Sequence, residues 1–358
     1  MASISRRAAL KGAVGAAAVG LATGQPGAAA ATGQPLPETL SRTKALGAGA
    51  HRVSTGAVAP THLGVSSATG RFRARTAAGW GQWRAIATCP GGRSEQSATA
   101  FVRVPEGAVE YELELAAPGA VSELNTVGGR AVGVLSPRAD ACSVAGRRLS
   151  GPYLSRAAWG ADESLRFAQD GSERYPAAYF PVQTLTVHHS ALELGPDPAA
   201  DVRAIYYDHT ITREFGDIGY HLLIDPAGRV YEGRWSGSDG APVFGPELVG
   251  GVPQMSNAAH VAGFNAGNVG VCLLGDFTSA GPTARARDAL VGVLAILSEV
   301  CGLDPLGKTD YVNPISGATA TVDTISGHRD WMSTECPGNT FHPDLPDIRA
   351  RVAALLRA

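Results

Sequence analysis

Residues 325–338 read Ile-Ser-Gly-His-Arg-Asp-Trp-Met-Ser-Thr-Glu-Cys-Pro-Gly, with a histidine, His328, eight positions before a cysteine, Cys336. Glycine precedes the histidine and Pro-Gly follows the cysteine, so we expect both side chains to lie on loops. Zinc binds imidazole nitrogen and thiolate sulfur in tetrahedral geometry, and a catalytic zinc site has three protein ligands. His328 and Cys336 are therefore candidate ligands that need a third. The alternative is a loop histidine and an unrelated cysteine.

Residues 182–189, Val-Gln-Thr-Leu-Thr-Val-His-His, are predicted to form a strand that ends in two histidines. Side chains alternate across a strand, so His188 shares its face with two threonines, whereas His189 shares its face with leucine and valine. This pattern favours His188 for a polar cleft and His189 for packing within the fold.

Length and charge restrict the function classes. The chain has 358 residues, enough for two domains, with 30 Lys and Arg against 32 Asp and Glu. This nearly neutral balance lacks the excess of positive charge that is typical of nucleic-acid-binding proteins. The five cysteines are Cys89, Cys142, Cys272, Cys301 and Cys336. An odd count in an exported protein leaves one thiol outside the disulfides, and Cys336 is the candidate. The possible pairs are Cys89 with Cys142 and Cys272 with Cys301.

Residues 1–31 are predicted to be a signal peptide of the twin-arginine type. They contain Ser-Arg-Arg-Ala-Ala-Leu-Lys followed by a weakly apolar Ala/Gly run. An ordinary secretory signal is the alternative, whereas the run is too short for a membrane anchor. We therefore expect a secreted or cell-wall protein without a membrane span. Residues 32–53, rich in Ala, Gly, Thr and Pro, are predicted to be a linker.

Residues 54–150 are predicted to form a small β-rich domain, a sandwich or a barrel. Short alternating runs separated by Gly and Pro support this assignment, as at residues 109–115, where apolar side chains alternate with glutamates. Trp80 and Trp83 lie in a segment with several arginines. We interpret the two tryptophans as filling the β core, and stacking on a sugar is the alternative.

Residues 151–358 alternate predicted strands and helices, which indicates a layered α/β domain. Five motifs of this region, in chain order, resemble the peptidoglycan recognition proteins and the type 2 N-acetylmuramoyl-L-alanine amidases. They are Ser155-Arg156 with Trp159-Gly160, Val187-His188-His189-Ser190, Asp217-Ile218-Gly219-Tyr220, residues 269–277 and residues 327–338.

The resemblance implies a mixed central β-sheet flanked by helices and one zinc ion per chain. In that family, the positions of His188, His328 and Cys336 hold the metal, and those of Tyr220 and Thr334 are catalytic. Zinc would then acidify a water and polarise an amide carbonyl. With its ordinary pKa near 10, Tyr220 is better suited to donate a hydrogen bond than to act as a base.

The implied function is hydrolysis of the amide bond between the lactyl group of N-acetylmuramic acid and L-alanine. The implied partner is peptidoglycan, bound by a monomer. A non-catalytic module that binds peptidoglycan is the alternative, although such relatives typically replace the cysteine ligand.

Overall fold

The structure is a computed structural model that describes residues 34–66, 69–86, 99–135, 143–144, 147–148, 153–238 and 241–357. The predicted signal peptide, Cys89 and Cys142 lie outside the described residues, so the proposed pairing of these two cysteines remains a prediction.

The described residues between 34 and 148 form a β-rich region whose two larger sheets pack face to face. One sheet has the order β2-β10-β4-β8, and the other has the order β3-β9-β5-β6 with β7 also paired to β5. Their facing side chains, such as Leu63 and Val121 against Phe72 and Leu113, form one buried core. The predicted β-sandwich is confirmed. The strands are β1 (Gln34–Pro37), β2 (Leu40–Leu46), β3 (Gly49–Ser54), β4 (His62–Val65), β5 (Gly70–Thr76), β6 (Gly79–Trp80), β7 (Arg84–Ile86), β8 (Ala100–Arg103), β9 (Glu110–Leu115), β10 (Gly119–Asn125), β11 (Ala131–Leu135), β12 (Ser143–Val144) and β13 (Arg147–Arg148).

The prediction of a linker at residues 32–53 is wrong for the described residues of that stretch. β2 pairs with β10 and β3 pairs with β9, both antiparallel. Both strands lie at the edge of their sheet and bury few side chains. An edge strand with so little buried surface needs no hydrophobic alternation, so its sequence lacks the pattern by which strands are recognised.

Trp80 and Trp83 do not fill the β core. Both are half-buried on the outer face of the sheet, where guanidinium groups lie against their rings. Arg73 is 4.7 Å from the ring centre of Trp80 and 4.6 Å from that of Trp83. Arg52 lies 5.2 Å from Trp80, and Arg71 lies 4.6 Å from Trp83. The two tryptophans therefore belong to a cation–π ladder, which we call the Trp/Arg ladder.

Residues 153–357 form a six-stranded mixed sheet with helices on both faces, which confirms the predicted fold class. The strand order is β14-β18-β17-β21-β16-β24, and only the β17–β18 pair is antiparallel. The strands are β14 (Tyr153–Leu154), β15 (Tyr179–Pro181), β16 (Thr184–His189), β17 (Leu222–Ile224), β18 (Val230–Glu232), β19 (Phe244–Val249), β20 (Val252–Ser256), β21 (Asn268–Leu273), β22 (Lys308–Val312), β23 (Thr319–Asp323) and β24 (Ile325–Gly327). The helices are α1 (Arg156–Trp159), α2 (Pro198–Tyr207), α3 (Ala284–Cys301) and α4 (Leu345–Arg357), with a π-helical turn at Asp208–Thr212 and 3₁₀ turns at Glu163–Arg166, His328–Asp330 and His342–Asp344.

Two apolar clusters hold the helices on the sheet. On one face of the sheet, α3 and α4 pack against side chains of β16 and β21. On the other face, α1 and α2 cover the sheet. Among the described helices, none is both long and apolar enough to cross a membrane.

The predicted disulfide between Cys272 and Cys301 is wrong, because neither cysteine is disulfide-bonded. On β21, Val271 and Leu273 pack in the cluster beneath α3, so Cys272 between them points to the opposite face. Cys301, at the end of α3, packs against the first cluster. The sheet therefore separates the two thiols, and counting cysteines gives no support for Cys336 as a metal ligand.

Candidate metal centre

Adjacent parallel strands bring the two candidate histidine ligands together. β16 and β24 pair in register with Val187 opposite Gly327, so His188 and His328 follow at neighbouring strand ends. The two imidazole rings lie 4.6 Å apart between their centres. Parallel strands end at the same edge of a sheet, and this edge is where the side chains meet.

The loop after His328 folds back to place Cys336 beside both histidines. Arg329 closes this loop: its backbone N–H donates to the carbonyl of Cys336 at 3.0 Å, and its guanidinium donates to the carbonyl of Glu335 and to Asn339 Oδ1. The backbone N–H of His189 donates to Cys336 Sγ at 3.3 Å. The ligand atoms of His188, His328 and Cys336 all lie within 4.8 Å of one another.

These residues fit a zinc ion. His188, His328 and Cys336 are each 2% exposed or less, and neither ring nitrogen of His328 has a hydrogen-bond partner among the described residues. Burial lowers the pKa of His328 to about 3 and holds the pKa of His188 well below its ordinary value. Both imidazoles are therefore neutral at pH 7 and have lone pairs to offer. Two imidazoles and one thiolate form a donor set typical of zinc.

Tyr220 lies at the entrance of this centre. It is half-buried, and its ring centre is 5.2 Å from that of His188. The preceding residue, Gly219, donates its N–H to His209 Nδ1 at 3.0 Å, and a Cβ there would lie 2.3 Å from the carbonyl oxygen of Ala259. This close approach excludes any other residue type and fixes the backbone that carries Tyr220.

A buried ion network anchors the same segment. Asp217 is 1% exposed and accepts from Arg156 at 3.1 Å and from Arg234 at 2.9 Å. It also accepts from the backbone N–H of Ile218 at 2.7 Å. This network explains why Arg156 and Asp217 recur in the motifs recognised from the sequence, since both hold the backbone that leads to Tyr220.

Thr334 is half-buried in the loop between His328 and Cys336. Its hydroxyl accepts from the backbone N–H of Cys336 at 3.3 Å. It is not among the residues that line the cavity beside Tyr220. Its clearest structural contribution is therefore to the loop that positions Cys336.

Phe101 adjoins the site but was not predicted from the sequence. A cavity of about 40 Å³ lies between Tyr220, His260 and His328, and Phe101 on β8 lines it from the β-rich region. The ring of Phe101 stacks on His62 with centres 5.2 Å apart. No local pattern could reveal this residue, because its position depends on how two distant parts of the chain pack.

His260 was also missed. It is 2% exposed and lies in the loop before β21, with its ring centre 5.0 Å from that of His188. One signal was available: Gly270 interrupts the apolar strand β21, and a glycine within a strand often marks a close approach by another group. The approaching group is the ring of His260, 2.6 Å from where a Cβ of residue 270 would stand.

Residues 178–339 match the family model described as N-acetylmuramoyl-L-alanine amidase. Among curated proteins, the human N-acetylmuramoyl-L-alanine amidase is 30% identical over 166 residues, which cover 45% of this chain and 23% of the human protein. Human peptidoglycan recognition protein 3 is 29% identical over 187 residues, which cover 50% of this chain and 47% of that protein. The chain thus spans about a quarter to a half of these relatives.

Two solved structures are also similar. The wild-type Drosophila PGRP-LB is 25% identical with a TM-score of 0.39, covering 55% of this chain and 93% of that one. The amidase LysC from Clostridium intestinale is 23% identical with a TM-score of 0.36, covering 50% and 91%. The motifs around the candidate metal centre lie within residues 178–339, the segment that matches the N-acetylmuramoyl-L-alanine amidase family model.

Proposed function

We propose that the chain is a zinc-dependent amidase that hydrolyses the bond between the N-acetylmuramoyl lactyl group and L-alanine in peptidoglycan. The observation that carries this proposal is the cluster of His188, His328 and Cys336, with ligand atoms within 4.8 Å beside a cavity lined by Tyr220. The match of residues 178–339 to the N-acetylmuramoyl-L-alanine amidase family model supports the substrate class.

The chain's own residues prepare the site for this reaction. His188, His328 and Cys336 would hold one zinc ion, which supplies Lewis acidity toward water and the scissile carbonyl. The phenol of Tyr220 would donate a hydrogen bond to the oxygen on which negative charge develops. Thr334 would help to position Cys336, because its hydroxyl accepts from the backbone N–H of Cys336. The buried surroundings exclude bulk water and so strengthen each of these interactions.

A non-catalytic peptidoglycan-binding module is the second candidate function. It would need only the cavity and its rim, whereas this chain also has the complete set of three ligands and Tyr220. A binding module has no use for a buried thiolate between two neutral imidazoles. These residues therefore favour catalysis.

Replacing Cys336 with serine tests the proposal. Purified wild-type protein should contain about one zinc per chain and release stem peptides from muropeptides, detected by mass spectrometry. Mutating a residue that hydrogen-bonds to a metal ligand typically lowers metal affinity or activity by roughly 10-fold to 100-fold. Losing a ligand itself should therefore reduce peptide release by more than about 100-fold. Cys301→Ser is the matched control, because Cys301 lies at the end of α3. Undiminished release by Cys336→Ser would exclude zinc catalysis at this site.

We also infer export through the twin-arginine route, to the cell wall or the medium. The support is the Arg6-Arg7 pair and the weakly apolar run that follows it. Replacing both arginines with lysine should retain the protein inside the producing cell. Unchanged secretion of that variant would favour the ordinary secretory signal.

A further inference from the structure

His188 has two ring nitrogens with different surroundings. Nδ1 lies 3.6 Å from Cys336 Sγ, on the side of the candidate metal ligands. Nε2 lies 3.0 Å from Nδ1 of His260, and Nε2 of His260 lies 2.9 Å from the backbone carbonyl oxygen of Asn268. A chain of hydrogen bonds therefore runs from the candidate metal ligand through a second histidine to the backbone.

The carbonyl at the end of this chain fixes the position of every proton in it. A carbonyl oxygen only accepts, so Nε2 of His260 must carry a hydrogen. In a neutral imidazole the other nitrogen is an acceptor, so Nδ1 of His260 accepts from His188. Nε2 of His188 then carries the hydrogen, and its Nδ1 presents a lone pair toward Cys336 and His328.

The neutrality of His260 follows from its surroundings. The groups that it hydrogen-bonds through its ring and backbone N–H, His188, Asn265 and Asn268, are all uncharged. A buried imidazolium without an anionic partner would be costly. The reverse chain, with both nitrogens of His260 protonated, is therefore disfavoured.

The fold holds His260 in this position from several sides. Asn265 Oδ1 accepts from the backbone N–H groups of His260 and Val261, both at 2.8 Å. Gly270 leaves room for the ring, since a Cβ there would lie 2.6 Å from it. The ring is thus packed against β21, whose neighbour β16 carries His188.

We propose that His260 is a positioning residue that fixes the tautomer and orientation of His188, so that Nδ1 of His188 is the atom offered to zinc. This inference rests on the proposed zinc function. Metal-bound histidines usually donate their second N–H to a carboxylate, a carbonyl or water. Here a neutral histidine, His260, accepts that hydrogen bond, and its own orientation is fixed because it donates to the backbone carbonyl of Asn268.

His221 offers a matched control within the same site. It is fully buried like His260, and its ring centre is 5.6 Å from that of His260. Its ring nitrogens bond to the backbone, Nε2 to the carbonyl of Ser256 at 2.8 Å and Nδ1 to the N–H of Gly270 at 2.9 Å. Replacing it perturbs a buried histidine without touching the partner of His188.

The experiment measures zinc affinity by competition with a chromophoric chelator, without reference to activity. His260→Phe keeps a ring but removes the acceptor, so we expect zinc affinity to fall by about 10-fold to 100-fold. His260→Asn places an amide oxygen near the former Nδ1 and should restore affinity to within about threefold of wild type. The zinc affinity of His221→Phe should also stay within about threefold of wild type. Wild-type affinity in folded His260→Phe would overturn the inference, as would an equal loss in His221→Phe.

A second measurement needs no variant. In the metal-free wild-type protein, nitrogen-15 chemical shifts of the His188 ring should report a protonated Nε2 and an unprotonated Nδ1. The opposite tautomer would overturn the inference even if the His260 variants do not fold. Failure of the wild-type protein to bind zinc would instead overturn the proposed function and the inference with it, so the two failures can be distinguished.

Discussion

The candidate metal centre and the Trp/Arg ladder both gather polar and aromatic side chains, but they do so in opposite surroundings. Around the candidate metal centre, the buried side chains of His221, His260 and Asp217 each have a specific backbone or side-chain partner. In the ladder, half-exposed arginines pair with the glutamates of β9, for example Arg73 with Glu112 at 2.6 Å between Nε and the carboxylate. Burial makes every hydrogen bond necessary, whereas solvent can replace any bond in the ladder.

A third site, where the β-rich region meets helix α2, combines a buried carboxylate with a partly exposed arginine. Asp201 on α2 has no exposed surface, and it accepts from Arg103 of β8 at 2.6 Å and lies 3.2 Å from His62 Nε2. The side chain of Arg103 retains 17% exposure. We expect this contact to be intermediate in strength between the buried network of Asp217 and the ladder.

The largest effect should come from Asp217→Asn. It leaves Arg156 and Arg234, 4% and 1% exposed, without their shared carboxylate. Breaking a buried ion pair by removing one partner costs about 3 to 5 kcal/mol of unfolding free energy. Urea unfolding measures this change. The control is Asp288→Asn, whose partner Arg351 is 40% exposed, with an expected cost below about 1 kcal/mol. Equal costs for the two variants would contradict the contrast between buried and exposed charges.

Asp201→Asn should have the next largest effect, about 2 kcal/mol. This is less than the cost for a fully buried pair, because water still reaches Arg103. Since Asp201 joins the β-rich region to α2, limited proteolysis should cleave the β-rich region faster in this variant than in wild type. Unchanged proteolysis with a lowered unfolding free energy would show that Asp201 stabilises only the α/β region of residues 153–357.

Acid should destabilise the buried centre through histidines such as His221. Burial lowers the pKa of His221 to about 3 in the folded protein, below the ordinary 6.5. The unfolded chain therefore takes up a proton first, and the stability due to neutral His221 is complete above pH 6.5 and is lost as the pH falls toward 3. The loss is about 1.4 kcal/mol per pH unit within that window.

The measurement is urea unfolding at pH 7.5 and 5.5. Between these two pH values, the unfolding free energy of His221→Phe should fall by about 1.4 kcal/mol less than that of wild type, because phenylalanine at position 221 does not titrate. In the ladder, by contrast, hydrogen bonds from Arg52 lower the pKa of Glu110 to about 2, so its charge survives in this range. Identical pH slopes for the two proteins would contradict the role of His221.

The smallest effect should come from Trp80→Ala. An exposed cation–π contact contributes about 0.5 to 1 kcal/mol, so the variant should unfold only slightly more easily. Cleavage of soluble muropeptides should not change, since none of the ladder residues lines the cavity beside Tyr220. Loss of binding to insoluble cell walls by a folded Trp80→Ala protein would revive the sugar-stacking alternative against the ladder interpretation.

Much of the candidate site could be predicted from the sequence. Strand alternation separates His188 from His189, and the structure indeed gives His189 a partner within the fold, the N–H of Phe277 at 3.1 Å. The alternation at residues 109–115 also holds for Tyr111, Leu113 and Leu115, which are buried, although Val109 precedes β9 and is half exposed. These predictions succeed because they depend on local periodicity.

The incorrect predictions concern pairs of distant groups. Cys272 and Cys301 were expected to pair, but strand alternation and the position of α3 place them on opposite faces of the sheet. The edge strands β2 and β3 carry little local signal, and the Trp/Arg ladder forms only because β5 aligns Arg71 and Arg73 beside Trp80 and Trp83.

The sequence by itself determined the α/β class of residues 151–358, and it indicated His188, His328 and Cys336 through residue type, spacing and alternation, which are local properties. The resemblance of its motifs to a known family completed the candidate set and added Tyr220. Only the tertiary structure decided that His260 and Phe101 adjoin that set. The first depends on the space left by Gly270 in β21, and the second on the packing of β8 against the domain that carries the site. Contacts of this kind join residues far apart in the chain, and their physical basis is complementarity of shape and hydrogen bonding, which has no period along the sequence.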